Sequence, residues 1–145
     1  MTAASGADVV AAARVQLGVP WVHQARLPGV AVDCIGLVIC IARSLGLLPA
    51  DWDIGGYSRA PDGLMLETAD LHMHRLGAPE LGAVVIVACE RDPQHMGIVA
   101  DYRHGGWSII HASNAAQPAR VVETRLMFTR AMSLCAYYRL PGVEV

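Results

Sequence analysis

The sequence predicts an α+β domain, with helices first and a mainly antiparallel sheet of about five strands after them. Three observations carry this. Up to residue 77 apolar residues recur at helical spacing, with cap and stop residues at the ends. From residue 83 the period becomes two. The links between the later segments are too short for the crossovers that parallel strands need. The chain has 145 residues, enough for one domain with a real core, and residues 1–145 read as a single domain without repeat, low-complexity tract or long linker.

The first helix is announced by "SGAD" at 5–8, a Ser-x-x-Asp capping box. It runs through "DVVAAARVQLG", with Val9, Val10, Ala13 and Leu17 on one face and Gly18 as its stop. "VPWVHQARLPGVAV" (19–32) holds two prolines and a glycine and reads as a loop. "CIGLVICIARSLG" is the second helix, capped by Asp33 and closed by Gly46. It is apolar nearly all round, which predicts a central position. Residues 48–63 read as irregular, and "LMLETADLHMHRLG" as an outer third helix ending at Gly77. Strands follow at 83–89, 96–102, 107–113, 120–124 and 134–140, with a hairpin turn at "RHGG" (103–106).

Composition narrows the function. Apolar residues make up 54% of the chain and charged residues 17%, which implies a large core or a sizeable contact surface. The longest apolar run, "IGLVICIA" at 35–42, falls well short of the roughly 20 residues of a bilayer span, so no membrane span is expected. "MTAASGADVV" lacks the basic and apolar regions of a secretory signal, so synthesis in the cytoplasm is expected. Net charge is −2, and the eleven basic residues, all arginine, are spread along the chain, which leaves no nucleic-acid footprint. The four cysteines form no C-x-x-C pair, against a zinc knuckle or a disulfide scaffold. Cys40, Cys89 and Cys135 read as core.

Cys34 stands apart. With Asp33 as cap it lies in the first turn of the most apolar helix, where unpaired N–H groups and the helix dipole favour an anion. The alternative is a small buried hydrophobe. A nucleophilic thiol also needs a base, usually a histidine held by a third polar group. His95 opens "HMGIVADY", where Gly97 would leave open space on its face, and His111 lies in "WSIIHAS" on the next strand. A turn of three or five residues pairs Gly97 with His111 and puts both histidines on one face. A four-residue turn puts them on opposite faces. The sequence leaves both registers open. The helix start and a protonated His95 are expected to keep Cys34 reactive below neutral pH. His72 and His74, two apart on a predicted helix, make a poor metal pair, and His104 reads as turn surface. His23 and Gln24 lie in the loop before Cys34, where they either line a cleft or are simply solvated.

"DCIGLV", "PELGAVVIV", "QHMGIVAD" and "IIHAS", preceded by a helix running into "LGVPWVHQ", resemble the NlpC/P60 family of cysteine peptidases, in that family's order and over most of the chain. The form "WVHQ…DCIGL" and the tail "YYRLPG" are most similar to versions from phage and prophage tail clusters. The resemblance implies a papain-like fold, Cys34 as nucleophile, His95 as base and His111 as the orienting third group. Trp21, His23, Gln24 and Asp33 would line the oxyanion and substrate region. It also implies hydrolysis of peptidoglycan stem peptides through an acyl-enzyme, often at the D-γ-glutamyl–diaminopimelate bond. No metal or organic cofactor is implied. Phage tail proteins are the implied partners, and the place of action is the cell wall, reached within a tail particle or after lysis. Trp21 stands where the family has tyrosine and offers an indole N–H instead of a hydroxyl. Ile35 replaces a common serine, and Ala83 an aspartate. Two rivals stand beside this reading: a structural tail-assembly component with weak or no activity, and a zinc site on Cys34, His95 and His111.

Overall fold

The computed structural model describes residues 3–49, 51–53, 64–89 and 92–144. In chain order the elements are β1 Ala4–Ser5, α1 Gly6–Val15, β2 Arg26–Leu27, β3 Ala31–Val32, α2 Cys34–Ser44, α3 Leu64–His72 and β4 His74–Leu76. They continue with β5 Val84–Cys89, β6 Asp92–Asp101, β7 Trp107–Ser113, β8 Arg120–Arg125, β9 Met132–Arg139 and β10 Val143–Glu144. Six strands form one sheet in the order β4-β9-β5-β6-β7-β8, with every neighbour antiparallel. The α+β class is as the sequence predicts.

Helix α1 starts on its capping box: the Asp8 N–H donates to Ser5 Oγ at 3.2 Å, and the Ser5 N–H donates to Asp8 Oδ2 at 2.9 Å. Val9, Val10 and Ala13 are buried. Leu17 is not part of this face. The helix ends at Val15, and Leu17 is 42% exposed beyond its cap. Arg14 ties α1 to the sheet through Glu123, with Nε and Nη2 donating at 3.1 and 2.9 Å. Helix α2 is central, with every residue from Ile35 to Ala42 buried. A positive φ of 70° at Gly46 lets the chain leave α2 at the expected place.

The third helix is shorter than its apolar pattern implies. It ends at His72, and residues 74–76 become the edge strand β4, paired with β9. The Tyr138 hydroxyl on β9 donates to Asp70 at 2.7 Å and holds the helix over that strand. A strand partner 61 to 65 residues away overrides a local helical period, because edge pairing satisfies backbone groups that a frayed last turn would leave open. Most of the segment read as irregular at 48–63 lies outside the described residues, as does the side chain of Cys89.

The loop expected at 19–32 is partly sheet. The Gly18 N–H donates to the Val121 carbonyl, the Val121 N–H to Val19, and the Trp21 N–H to Ala119, at 2.9 to 3.0 Å. Val32 then pairs with this segment, donating to Pro20 and accepting from Val22. The sheet edge thus continues from β8 through residues 18–22 to Val32, two residues before Cys34.

The sheet divides the core. Met96, Ile98, Ala100, Ile110 and Ala112 join α1 and α2 in the main cluster. Val85, Val87, Val99, Ile109 and Tyr137 form a second cluster on the other face. Among the described residues no helix is long and apolar enough to cross a membrane.

Candidate active site

Asp33 has extended backbone (φ −104°, ψ −170°), and its Oδ1 accepts from the Gly36 N–H at 2.7 Å, which starts α2 at Cys34. Cys34 is half-buried at the rim of the main core. Gly36 is required by close approach: a Cβ there would overlap the Ala25 carbonyl oxygen. The loop before the helix therefore lies directly on its first turn.

The other oxygen of Asp33 holds that loop. Asp33 Oδ2 accepts from the Gln24 N–H at 2.8 Å, and Gln24 has the left-handed φ of 61°. Arg26 Nη1 donates to Asp33 Oδ1 at 3.1 Å. Asp33 is 3% exposed with both oxygens engaged. It organises the helix start with both oxygens turned to protein donors. Gln24 is exposed, His23 is half-buried, and Trp21 packs partly against the main core.

His95 and His111 lie on β6 and β7. Asp101 pairs with Trp107 across a five-residue turn, 102–106, and Ile98 pairs with Ile110. This is the odd-turn register, which sets Gly97 opposite His111 and brings both imidazoles to one face. His95 Nε2 and His111 Nδ1 are 2.7 Å apart, with the rings edge to face at 75°. The face also holds Gly97 and Ile109, alternating with Met96, Ile98 and Ile110 toward α2. The space beside His95 is not open, as Gly97 had suggested. A Cβ at Gly97 would meet the Ile109 side chain at 2.6 Å, so the glycine makes room for Ile109.

Burial pushes the His95 imidazole down to about 4 from its ordinary 6.5. For His111, burial and then the neighbouring His95 push it to about 3. Both shifts favour neutral rings near pH 7, where the sequence leads one to expect a protonated His95. A carboxylate partner would offset the burial; a second neutral imidazole does not.

Pairing also places Cys34. β7 Ser113 pairs with Arg120, Arg120 bridges to Pro20, and Trp21 bridges to Val32. The same end of the sheet thus carries the start of β6 with His95, the end of β7 with His111, and the start of α2 with Cys34. Burial raises the Cys40 and Cys135 thiols, and Cys40 lies in the core while Cys135 is half-buried. His72 ends α3 and stacks edge-on against Trp52, His74 begins β4, and His104 is exposed in the turn. Among the described residues no three His, Cys, Asp or Glu side chains are grouped to hold a metal ion. Arg26 escaped the sequence reading. Its signal was indirect: a cap carboxylate buried by the next helix needs a cation.

Solved structures superpose on the chain nearly end to end. The NlpC/P60 domain of the peptidoglycan hydrolase SagA aligns with a TM-score of 0.61 and 18% identity, over 94% of this chain and 99% of that one. The fold is that of an NlpC/P60 domain. An N-acetylmuramoyl-L-alanine amidase from Bacteroides uniformis ATCC 8492 is also similar, in two structures with TM-scores of 0.60 and 0.62. Both are 12% identical and are covered over 98% of their length, against 94% and 93% of this chain. No protein-family model and no curated protein matches the sequence. At these identities the likeness carries the NlpC/P60 fold and leaves the chemistry to the residues.

Proposed function

We propose that this protein is an NlpC/P60 cysteine peptidase or amidase that hydrolyses peptide stems of bacterial peptidoglycan. What supports the reading is the 2.7 Å hydrogen bond between His95 and His111 together with the capped start of α2 at Cys34. The neighbours named as a peptidoglycan hydrolase and an N-acetylmuramoyl-L-alanine amidase point to the substrate class.

The hydrogen bond sets the tautomers. For His95 Nδ1 to accept the Cys34 proton, His95 Nε2–H must donate to His111 Nδ1, and His111 must carry its proton on Nε2. The thiol loses its proton to His95 as sulfur attacks the carbonyl, and His95 passes that proton to the amine as the C–N bond breaks, leaving the acyl-enzyme. His95, neutral again, takes a proton from the water that attacks the thioester and returns it to the Cys34 sulfur as the acid departs. The Cys34 backbone N–H, with Trp21, stabilises the oxyanion. We further propose a phage or prophage origin, with action at the cell wall within a tail particle. The second reading, a tail-assembly component, is favoured by exposed apolar side chains such as Val15 at 77% and Val30 at 63%.

Digestion of defined muropeptides with mass spectrometry tests both. Cys34→Ala is expected to lose all cleavage while keeping its fold and its place in particles. A wild-type protein that cuts no stem peptide, with Cys34→Ala particles that fail to assemble, favours the structural reading.

A further inference from the structure

The Asp33 carboxylate poses a problem for the thiol beside it. A negative charge next to a nucleophilic cysteine raises the thiol pKa and so opposes the helix start. The structure answers this with Arg26. Its side chain is 13% exposed, and Nη1 donates to Asp33 Oδ1 and to the Ala25 carbonyl, both at 3.1 Å. Its Nε donates to Asp53 at 3.0 Å, and Asp53 in turn meets Arg43 at 3.4 Å. Asp33, Arg26, Asp53 and Arg43 therefore alternate in sign and sum to zero. The Ala25 carbonyl is the atom against which Gly36 packs, so the same guanidinium that neutralises the cap also fastens the loop to the helix.

We propose that Arg26 is a positioning residue of the Cys34 site, cancelling the Asp33 charge and locking the loop at 22–26 onto the first turn of α2. This rests on Cys34 being the nucleophile. The charged and titratable groups gathered about that turn are Asp33 at the cap, Arg26 from β2, Asp53 and Arg43 behind it, His23 in the loop, and the neutral His95 and His111 on the sheet.

The test is the pH dependence of Cys34 alkylation by iodoacetamide, with mass spectrometry identifying the labelled residue. It needs no knowledge of the natural substrate. In Arg26→Gln the apparent thiol pKa is expected to rise by about one unit, with a roughly tenfold loss of rate at pH values below it. Arg26→Lys keeps the charge and is expected to restore most of the shift. The double variant Arg26→Gln, Asp33→Asn, which leaves neither charge, is expected to return the thiol close to wild type. A purely structural role predicts the opposite, since removing a second hydrogen-bonding partner would only add damage. If Arg26→Gln does not fold, Asp33→Asn alone decides: Asn still caps the helix, and the cluster of Arg26, Asp53 and Arg43, left with one net positive charge, is expected to lower the thiol pKa below wild type. A reactive Cys34 whose pKa does not move in these variants overturns the role of Arg26 alone. An unreactive Cys34 in the wild type overturns the nucleophile reading and this inference together.

Discussion

His95 Nε2 and His111 Nδ1 lie 2.7 Å apart on neighbouring strands. With one proton between them, each ring fixes the tautomer of the other. On the proposed mechanism their roles are unequal, because His95 meets the thiol and His111 acts through it. His95→Ala is expected to abolish stem-peptide cleavage nearly as fully as Cys34→Ala, since base and nucleophile work as a unit. His111→Ala is expected to retain some activity, about ten- to a hundred-fold below wild type, because only the aim of the base is lost. Single-turnover rates on a defined muropeptide measure both. Equal losses in the two variants would place His111 in the chemistry itself.

Acid should weaken the fold through the same pair. The folded-state values lie near 4 and 3, below the ordinary 6.5, so between those limits the unfolded chain binds protons that the folded one does not. The pair's contribution to stability is expected to be full above about pH 6.5, to fall as pH drops toward 4, and to be spent near 3. At about 1.4 kcal/mol per pH unit, the two depressions together correspond to a loss of at most roughly 8 kcal/mol. Urea unfolding at a series of pH values measures it, and His95→Gln with His111→Gln should flatten the curve. In activity, the acid limb of kcat/KM is expected close to pH 4, where the base becomes protonated.

Two glycines make a controlled comparison. Gly36→Ala drives a methyl into the Ala25 carbonyl, whereas Gly77→Ala meets nothing within 4 Å. Gly36→Ala is expected to cost about 1–3 kcal/mol and to slow Cys34 alkylation by moving the loop off the helix start. Gly77→Ala should leave both unchanged. Thermal unfolding and thiol labelling of the pair check this.

Gln24 separates backbone from side chain. Its φ of 61° is a conformation that glycine adopts without strain. Gln24→Gly should therefore keep the loop, the bond from its N–H to Asp33 and the melting temperature within a few degrees. Any change in KM for stem peptides then belongs to the lost amide. An unchanged KM removes Gln24 from the substrate surface.

The helix that carries Cys34 was legible because its signals are local: Asp33 caps it, Gly46 ends it, and nothing between Ile35 and Ala42 is charged. The histidine pair was half legible. Alternation gave two candidate registers, and only the five-residue turn at 102–106 chose one. What stayed hidden depends on partners distant in sequence. Residues 74–76 carry a helical pattern and become a strand because β9 is there to receive them. Residues 19–22 read as a loop and run along β8. Arg26 looks like any surface arginine until Asp33 and Asp53 are brought to it.

The ladder through β7, β8, residues 18–22 and Val32 has a further meaning. The thiol and the imidazoles are spaced by rows of peptide groups, and peptide groups are the same whatever side chains they carry. A slip of one residue anywhere along this scaffold would displace Cys34 by about 3.3 Å relative to His111, and would turn a strand's side chains to the wrong face. Substitutions that preserve pairing leave the spacing intact. A scaffold of this kind keeps its geometry while composition varies, in keeping with a chain that superposes on solved domains over more than nine-tenths of its length at only 12–18% identity.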